Sequence, residues 1–228
     1  YRLAESIHAK ANKLIKRVKD RVDKEWTARD EKGQVNIYPV EQLQKMKEGQ
    51  WLILARDGYR LDKLEEELKI YGYFYERGDR TSINKRVHEA ILAWEDIRRG
   101  KELDIKRVKS FYNYIKTGTG VAKEHKAMKN ADKEKLYTYD TLSAQYGLLI
   151  DKDKPWFKAL ENIPDEKRTY VRMCLRRQEN IRRAPRIKLS TIHGSKGGEA
   201  DNVMLLTDLT RKADASYWKQ RDEERRVF

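Results

Sequence analysis

The 228-residue chain reads as an α/β fold, a parallel sheet flanked by helices, with a mainly α-helical subdomain inserted into it. Three observations predict this. Up to residue 98, strand-like and helix-like stretches alternate. From 99 to 185, helical spacing and lysine-rich polar sequence replace them. After Pro185 the alternation resumes. The domain layout expected is therefore 1–98 and 186–228 as two pieces of one α/β domain, with 99–185 as the insertion.

Taken in order, residues 3–22 carry Ile7, Ala11, Leu14, Ile15, Val18 and Val22 at helical spacing, with basic residues between them. Glu31-Lys32-Gly33 reads as a turn, and Val35 to Tyr38 alternates like a short strand. Trp51 to Ala55 is a continuous apolar run, the pattern of a strand buried on both faces. Asp57 and Gly58 open a helix bearing Leu61, Leu64 and Leu68, which Gly72 ends. Tyr73 to Tyr75 reads as another short strand, and Val87, Ala90, Ile91 and Trp94 define a further helix.

In the insertion, Leu103, Val108, Phe111, Tyr112 and Ile115 suggest a helix. Thr117 to Gly120 and the lysine-rich stretch through Lys135 carry few apolar residues. Residues 166–183 read as a strongly basic helix, with Arg168, Arg172 and Arg176 on one face. That ridge fits duplex phosphates, an autoregulatory surface or a plain solvated face. Ile187 to Ile192 and Val203 to Thr207 are the last two strands, the second expected to be buried.

Lysine and arginine outnumber aspartate and glutamate by 51 to 37, a formal charge of +14. Such an excess attracts polyanions and makes binding salt-sensitive. Nucleic acid, an anionic membrane surface and high solubility with no partner all fit it. Cys174 is the single cysteine, so no intrachain disulfide and no cysteine-built zinc site is possible; beside Tyr170, Val171 and Leu175 it reads as a packed core thiol. No apolar stretch approaches the length of a membrane span and no signal peptide opens the chain, so a cytoplasmic location without membrane attachment is expected.

The stretch richest in chemistry is Thr191-Ile192-His193-Gly194-Ser195-Lys196-Gly197-Gly198-Glu199-Ala200-Asp201, lying between two strands. Glycines let backbone amides approach a phosphate or base closely, and lysine adds a mobile positive charge. A Walker A loop needs Gly-Lys-Ser/Thr opening a helix. Here the lysine precedes the paired glycines, and nothing else in the chain fits that pattern. The residues alone leave a ligand loop and a tight turn both open.

This stretch resembles motif V of the UvrD/Rep-type superfamily 1A DNA helicases, Thr-x-His-x-x-Lys-Gly-x-Glu-(Phe/Ala)-Asp-x-Val. Three further matches stand in the family's order. Tyr1-Arg2-Leu3-Ala4-Glu5-Ser6-Ile7, followed by Ala11-Asn12, resembles motif IV. Ile53 to Tyr59 resembles the strand ending in Arg-(Thr/Ser)-Asn, followed by a Gly-x-x-(Tyr/Phe) turn at Gly72 to Tyr75. Asp222 to Phe228 resembles the opening of motif VI. Gly198 replaces a usual leucine, Ala200 a frequent phenylalanine, and Asp57-Gly58 the usual Thr/Ser-Asn.

The resemblance implies a RecA-like, P-loop NTPase-like second motor domain, called 2A, with a short 2B-like insertion. It implies ATP in a cleft shared with an N-terminal RecA-like domain of the same polypeptide, which holds most of the Mg²⁺. It casts Arg2 as the catalytic arginine that stabilises charge on the transferred phosphoryl. Glu199 is implied to bond the ribose, with Lys196 and Gly197 near the nucleotide. Thr191, His193, Arg56 and Tyr59 are implied to line the single strand, where an aromatic ring can stack on a base. For Tyr59, packing against Leu61 or Trp51 is the competing reading.

The implied activity is 3′ to 5′ translocation on single-stranded DNA and at its junction with duplex, in DNA repair or replication, in a bacterial or phage-like setting. Without Walker A and B, these 228 residues alone are expected to lack ATPase activity. The alternative is a non-enzymatic nucleic-acid-binding protein retaining a decayed helicase domain.

Overall fold

A computed structural model describes residues 3–18, 22, 27–37, 43, 46, 48–129 and 131–207. The chain divides into two compact units, 1–66 with 189–228, and 67–188. Five strands form one sheet in the order β3-β2-β4-β1-β5. They are β1 (Trp51–Ala55), β2 (Tyr75–Arg77), β3 (Arg80–Thr81), β4 (Ile187–Thr191) and β5 (Asn202–Leu206).

In the first unit β1 and β5 are parallel, with Trp51 opposite Asn202 and Ala55 opposite Leu206. The apolar run places Ile53 and Ala55 in the core, while Trp51, Leu52 and Leu54 are half-buried. Helix α2 (Gly58–Ile70) follows at once, and Leu61 and Leu64 are buried along its inner face. Strand β5 departs from the expectation of a buried strand. It ends the sheet order, and its side chains alternate, with Val203 58% exposed. Hydrophobicity alone does not distinguish a central strand from one with a single neighbour.

Helix α1 (Glu5–Ile15) is shorter than the periodicity suggested, and none of its residues is buried. Beyond it Val18 packs into the core, but Val22 is exposed. Segment 29–32 lies against the start of α1: Arg29 N–H donates to the Leu3 carbonyl, and the Glu5 and Ser6 amides donate to the carbonyls of Glu31 and Lys32. The strand expected over Val35 to Tyr38 does not form across Val35–Ile37, where Ile37 is 94% exposed; Tyr38 lies outside the described residues.

In the second unit β2 and β3 make a short antiparallel hairpin, so the strand expected at Tyr73–Tyr75 begins only at Tyr75. Its helices are α3 (Lys85–Ile97), α4 (Ile105–Tyr112), α5 (Tyr139–Gln145), α6 (Trp156–Ala159) and α7 (Asp165–Arg176). Three begin on side-chain caps. Asn84 accepts from the Arg86 amide, Asp104 from Arg107 and Thr138 from Thr141, each satisfying a donor that a helix start leaves unpaired. Lys126 closes the other end of α4 by donating to the carbonyls of Tyr112, Asn113 and Ile115.

Around these helices lies one apolar core that includes Trp94, Phe111, Tyr112, Tyr137, Trp156 and Cys174. Burial pushes the Cys174 thiol up to about 12, so it stays protonated and inert, as a packed core thiol should. Gly72 turns the chain after α2 at φ +70°, where a Cβ would sit 2.9 Å from the Met173 backbone. Only glycine meets both demands.

Two carboxylates are buried among the described residues, Asp96 and Glu179, the latter paired with Arg186 at 2.8 Å. Asp96 on α3 accepts from Arg107 at 2.6 Å, Arg182 at 2.9 Å and Lys101 at 3.0 Å. Burial pushes its carboxyl up, but the bonds from Arg107 and Lys101 and the charge of Arg182 outweigh that and hold it at about 2. The folded value lies below the ordinary 3.8, so this stabilisation is present above about pH 4 and lost as pH falls towards 2. It amounts to roughly 2 kcal/mol at neutral pH. Asp96→Asn should therefore lower unfolding stability by about that amount near pH 7 and by much less near pH 2. Urea titrations at the two pH values check this; an equal loss at both would contradict it.

Candidate functional site

Strand β4 ends at Thr191 and β5 begins at Asn202, so residues 192–201 must return along the sheet to start a strand parallel to β1. Both ends of that return are tied to β1. At the outgoing end the Ile192 amide donates to the Ala55 carbonyl at 3.0 Å. At the incoming end the Asp201 carboxylate accepts from the Gln50 amide at 2.8 Å, and the Asn202 amide donates to the Gln50 carbonyl at 3.0 Å.

Between the ties the chain folds on itself. The Gly194 amide donates to Thr191 Oγ1 at 3.1 Å, the Ser195 amide to the Thr191 carbonyl, Ser195 Oγ to the Ile192 carbonyl, and the Gly198 amide to the Ser195 carbonyl. Two glycines are required by geometry. A Cβ at Gly194 would lie 2.9 Å from Ser190 Oγ, and Gly197 sits at φ +81° with open space on its Cβ side. At Gly198 a Cβ would lie 3.0 Å from the Ser195 carbonyl oxygen and 3.6 Å from the Leu52 side chain. The leucine usual in the related motif would have to press on that turn.

This folding brings together most of the residues singled out by sequence. His193, Lys196, Gly197 and Glu199 are exposed on the turn, and Thr191 at its base is half-buried with its hydroxyl engaged by Gly194. Arg56, half-buried, follows the Ala55 carbonyl that holds Ile192, so Arg56 and His193 flank the same hydrogen bond. Tyr59 stands in the first turn of α2. It is 57% exposed, with the Lys63 ammonium 5.1 Å from its ring centre, and does not pack in the core. Arg2 lies outside the described residues.

An exposed glycine at positive φ, a neighbouring lysine and a carboxylate two residues on are a donor set that fits a nucleotide: backbone and ammonium for phosphate, carboxylate for sugar hydroxyls. Among the described residues, no three His, Cys, Asp or Glu side chains gather as a metal site.

Lys63 has no role in the sequence reading, although a residue four positions after Tyr59 on a helix shares its face. Asp201 stands in the motif, but its tie to Gln50 is not legible because the two are distant in sequence. The arginine ridge of α7 proves largely committed to local contacts. Arg168 donates to the Phe157 carbonyl and to Asp165, and the Arg172 guanidinium lies 4.6 Å over the Phe157 ring. Replacing Thr191 by Val removes the acceptor of the Gly194 amide. Amide hydrogen exchange should show Gly194 losing protection in Thr191→Val and keeping it in Thr191→Ser, a difference of about 1 kcal/mol; equal protection in both variants would refute this.

Residues 63–228 match the family model of the UvrD-like helicase C-terminal domain. No curated protein and no solved structure matches the chain. Among the described residues, no helix is long and apolar enough to cross a membrane. The mixed sheet flanked by helices, the turn strapped to β1 and a family match over more than half of the chain agree: this chain belongs to the UvrD-like helicase C-terminal domain family.

Proposed function

We propose that the chain is the second motor half of an ATP-dependent DNA helicase that moves 3′ to 5′ along single-stranded DNA. The observation that carries this reading is the 192–201 turn, tied at both ends to β1 and exposing His193, Lys196, Gly197 and Glu199. Glu199 bonds the ribose, and Lys196 with the Gly197 backbone lies against the phosphates of ATP. Arg2 reaches the γ-phosphate, where a guanidinium offsets charge as it develops. The N-terminal RecA-like domain supplies the phosphate loop and the ligands of Mg²⁺. ATP binding closes the cleft between the two halves, and hydrolysis reopens it.

Arg56, Tyr59, Thr191 and His193 form part of the DNA track. Arg56 neutralises phosphate and Tyr59 offers a face for base stacking. Lys63 beside the Tyr59 ring adds positive charge to the same helix turn. Charge supports a polyanionic partner elsewhere as well. Residues 67–188 hold 29 of the 51 Lys and Arg but only 18 of the 37 Asp and Glu, so +11 of the net +14 resides there.

Two measurements test the reading. Binding of oligo-dT by the intact protein should weaken in Arg56→Ala and His193→Ala, with a shallower salt dependence in the arginine variant. Tyr59→Ala should cost about 1–3 kcal/mol. Unchanged affinity in all three variants would remove these residues from the track. The 228 residues alone should show negligible ATPase, and the polypeptide containing both motor halves should show DNA-stimulated ATPase. DNA binding without ATPase in that longer protein would favour a decayed, non-enzymatic binder instead.

A further inference from the structure

The tie at the incoming end of the turn has no part in the roles assigned above. Asp201 is exposed, and its carboxylate reaches past its own strand to the amide of Gln50, the residue before β1. Gly49 is pressed against the same place at φ +81°. A Cβ there would lie 2.9 Å from Asn202 Nδ2 and 3.2 Å from Asp201 Oδ2. A carboxylate accepting a backbone amide and a glycine that makes room for it are two independent features converging on one junction.

Resting on the nucleotide reading of Glu199, we propose that Asp201 is a positioning residue for the ribose contact, held by Gln50 and Gly49. Within Gly198 to Asp201, the Gly198 amide is held by the Ser195 carbonyl and the Asp201 carboxylate by the Gln50 amide. Glu199 lies between them, two residues from the second. Releasing Asp201 frees Glu199 from one side while leaving the outgoing end in place, because Ile192 is held separately by Ala55. The two ends of the turn are therefore separable: loss of the Asp201 tie weakens nucleotide binding and spares the DNA side that carries His193.

The asparagine variant keeps an acceptor oxygen for the Gln50 amide, whereas alanine removes it. In the intact protein, Asp201→Ala should raise KM for ATP about three- to tenfold, the range expected for one lost hydrogen bond. Its affinity for oligo-dT should stay as in the wild type. Asp201→Asn should restore KM, and Gly49→Ala, which crowds the junction from the other side, should raise it as Asp201→Ala does. Glu199→Ala is the reference. If it raises KM and Asp201→Ala does not, the positioning role is wrong and the ribose reading survives. If neither raises KM, the ribose reading falls and takes the positioning role with it. A parallel loss of ATP and DNA binding in Asp201→Ala, or no rescue by asparagine, would also overturn the proposal.

Discussion

The parallel pairing of β1 with β5 is the constraint on which the site depends. Strand β5 follows β4, whose end lies beside Ala55 at the end of β1, so the chain must travel back along the sheet before a strand parallel to β1 can start opposite Trp51. Here that return is not a helix but the compact turn of residues 192–201, and it runs beside β1, whose five residues span about 17 Å. The turn's two ends are held on β1, with His193, Lys196 and Glu199 exposed between them. Hydrogen bonds worth about 1 kcal/mol each suffice for this, since their effect is to remove alternatives rather than to hold the fold together.

The second unit is organised differently. Its core is aromatic and continuous, and of its two buried carboxylates among the described residues Glu179 pairs with Arg186 while Asp96 is met by three cations from different parts of the chain. A buried carboxylate without partners would cost several kcal/mol; with three it becomes a register mark joining α3, α4 and the 180–183 turn. The basic excess of this unit is thus divided. Arg107, Arg168, Arg172 and Arg182 are among the cations engaged by carboxylates, a carbonyl or a ring, while the net excess of the unit sets the long-range field.

Much of the fold was legible because its signals are local. The apolar run at 51–55, the leucine spacing of α2 and the glycine at 72 each follow from near neighbours in sequence; the strand, the helix and its end appear as expected, though β1 buries fully only Ile53 and Ala55. What failed was decided by distant neighbours. Val203 and Leu205 look like core residues until β5 is found at the end of the sheet order, where both are exposed. Val35 and Ile37 alternate like a strand but pair with nothing among the described residues. The site divides the same way. His193, Lys196, Glu199 and Asp201 stood out as a motif, whereas the bond of Asp201 to the Gln50 amide depends on a neighbour distant in sequence.

On the proposed function, one strapped turn serves a nucleotide on its incoming side and single-stranded DNA on its outgoing side. The most direct measurement is a crystal or cryo-electron microscopy structure of the intact protein with ADP–aluminium fluoride and oligo-dT. It should show the Glu199 carboxylate hydrogen-bonded to the ribose, with Arg56 and His193 against the strand. A nucleotide bound away from Glu199, or a DNA strand that bypasses Arg56 and His193, would contradict the account.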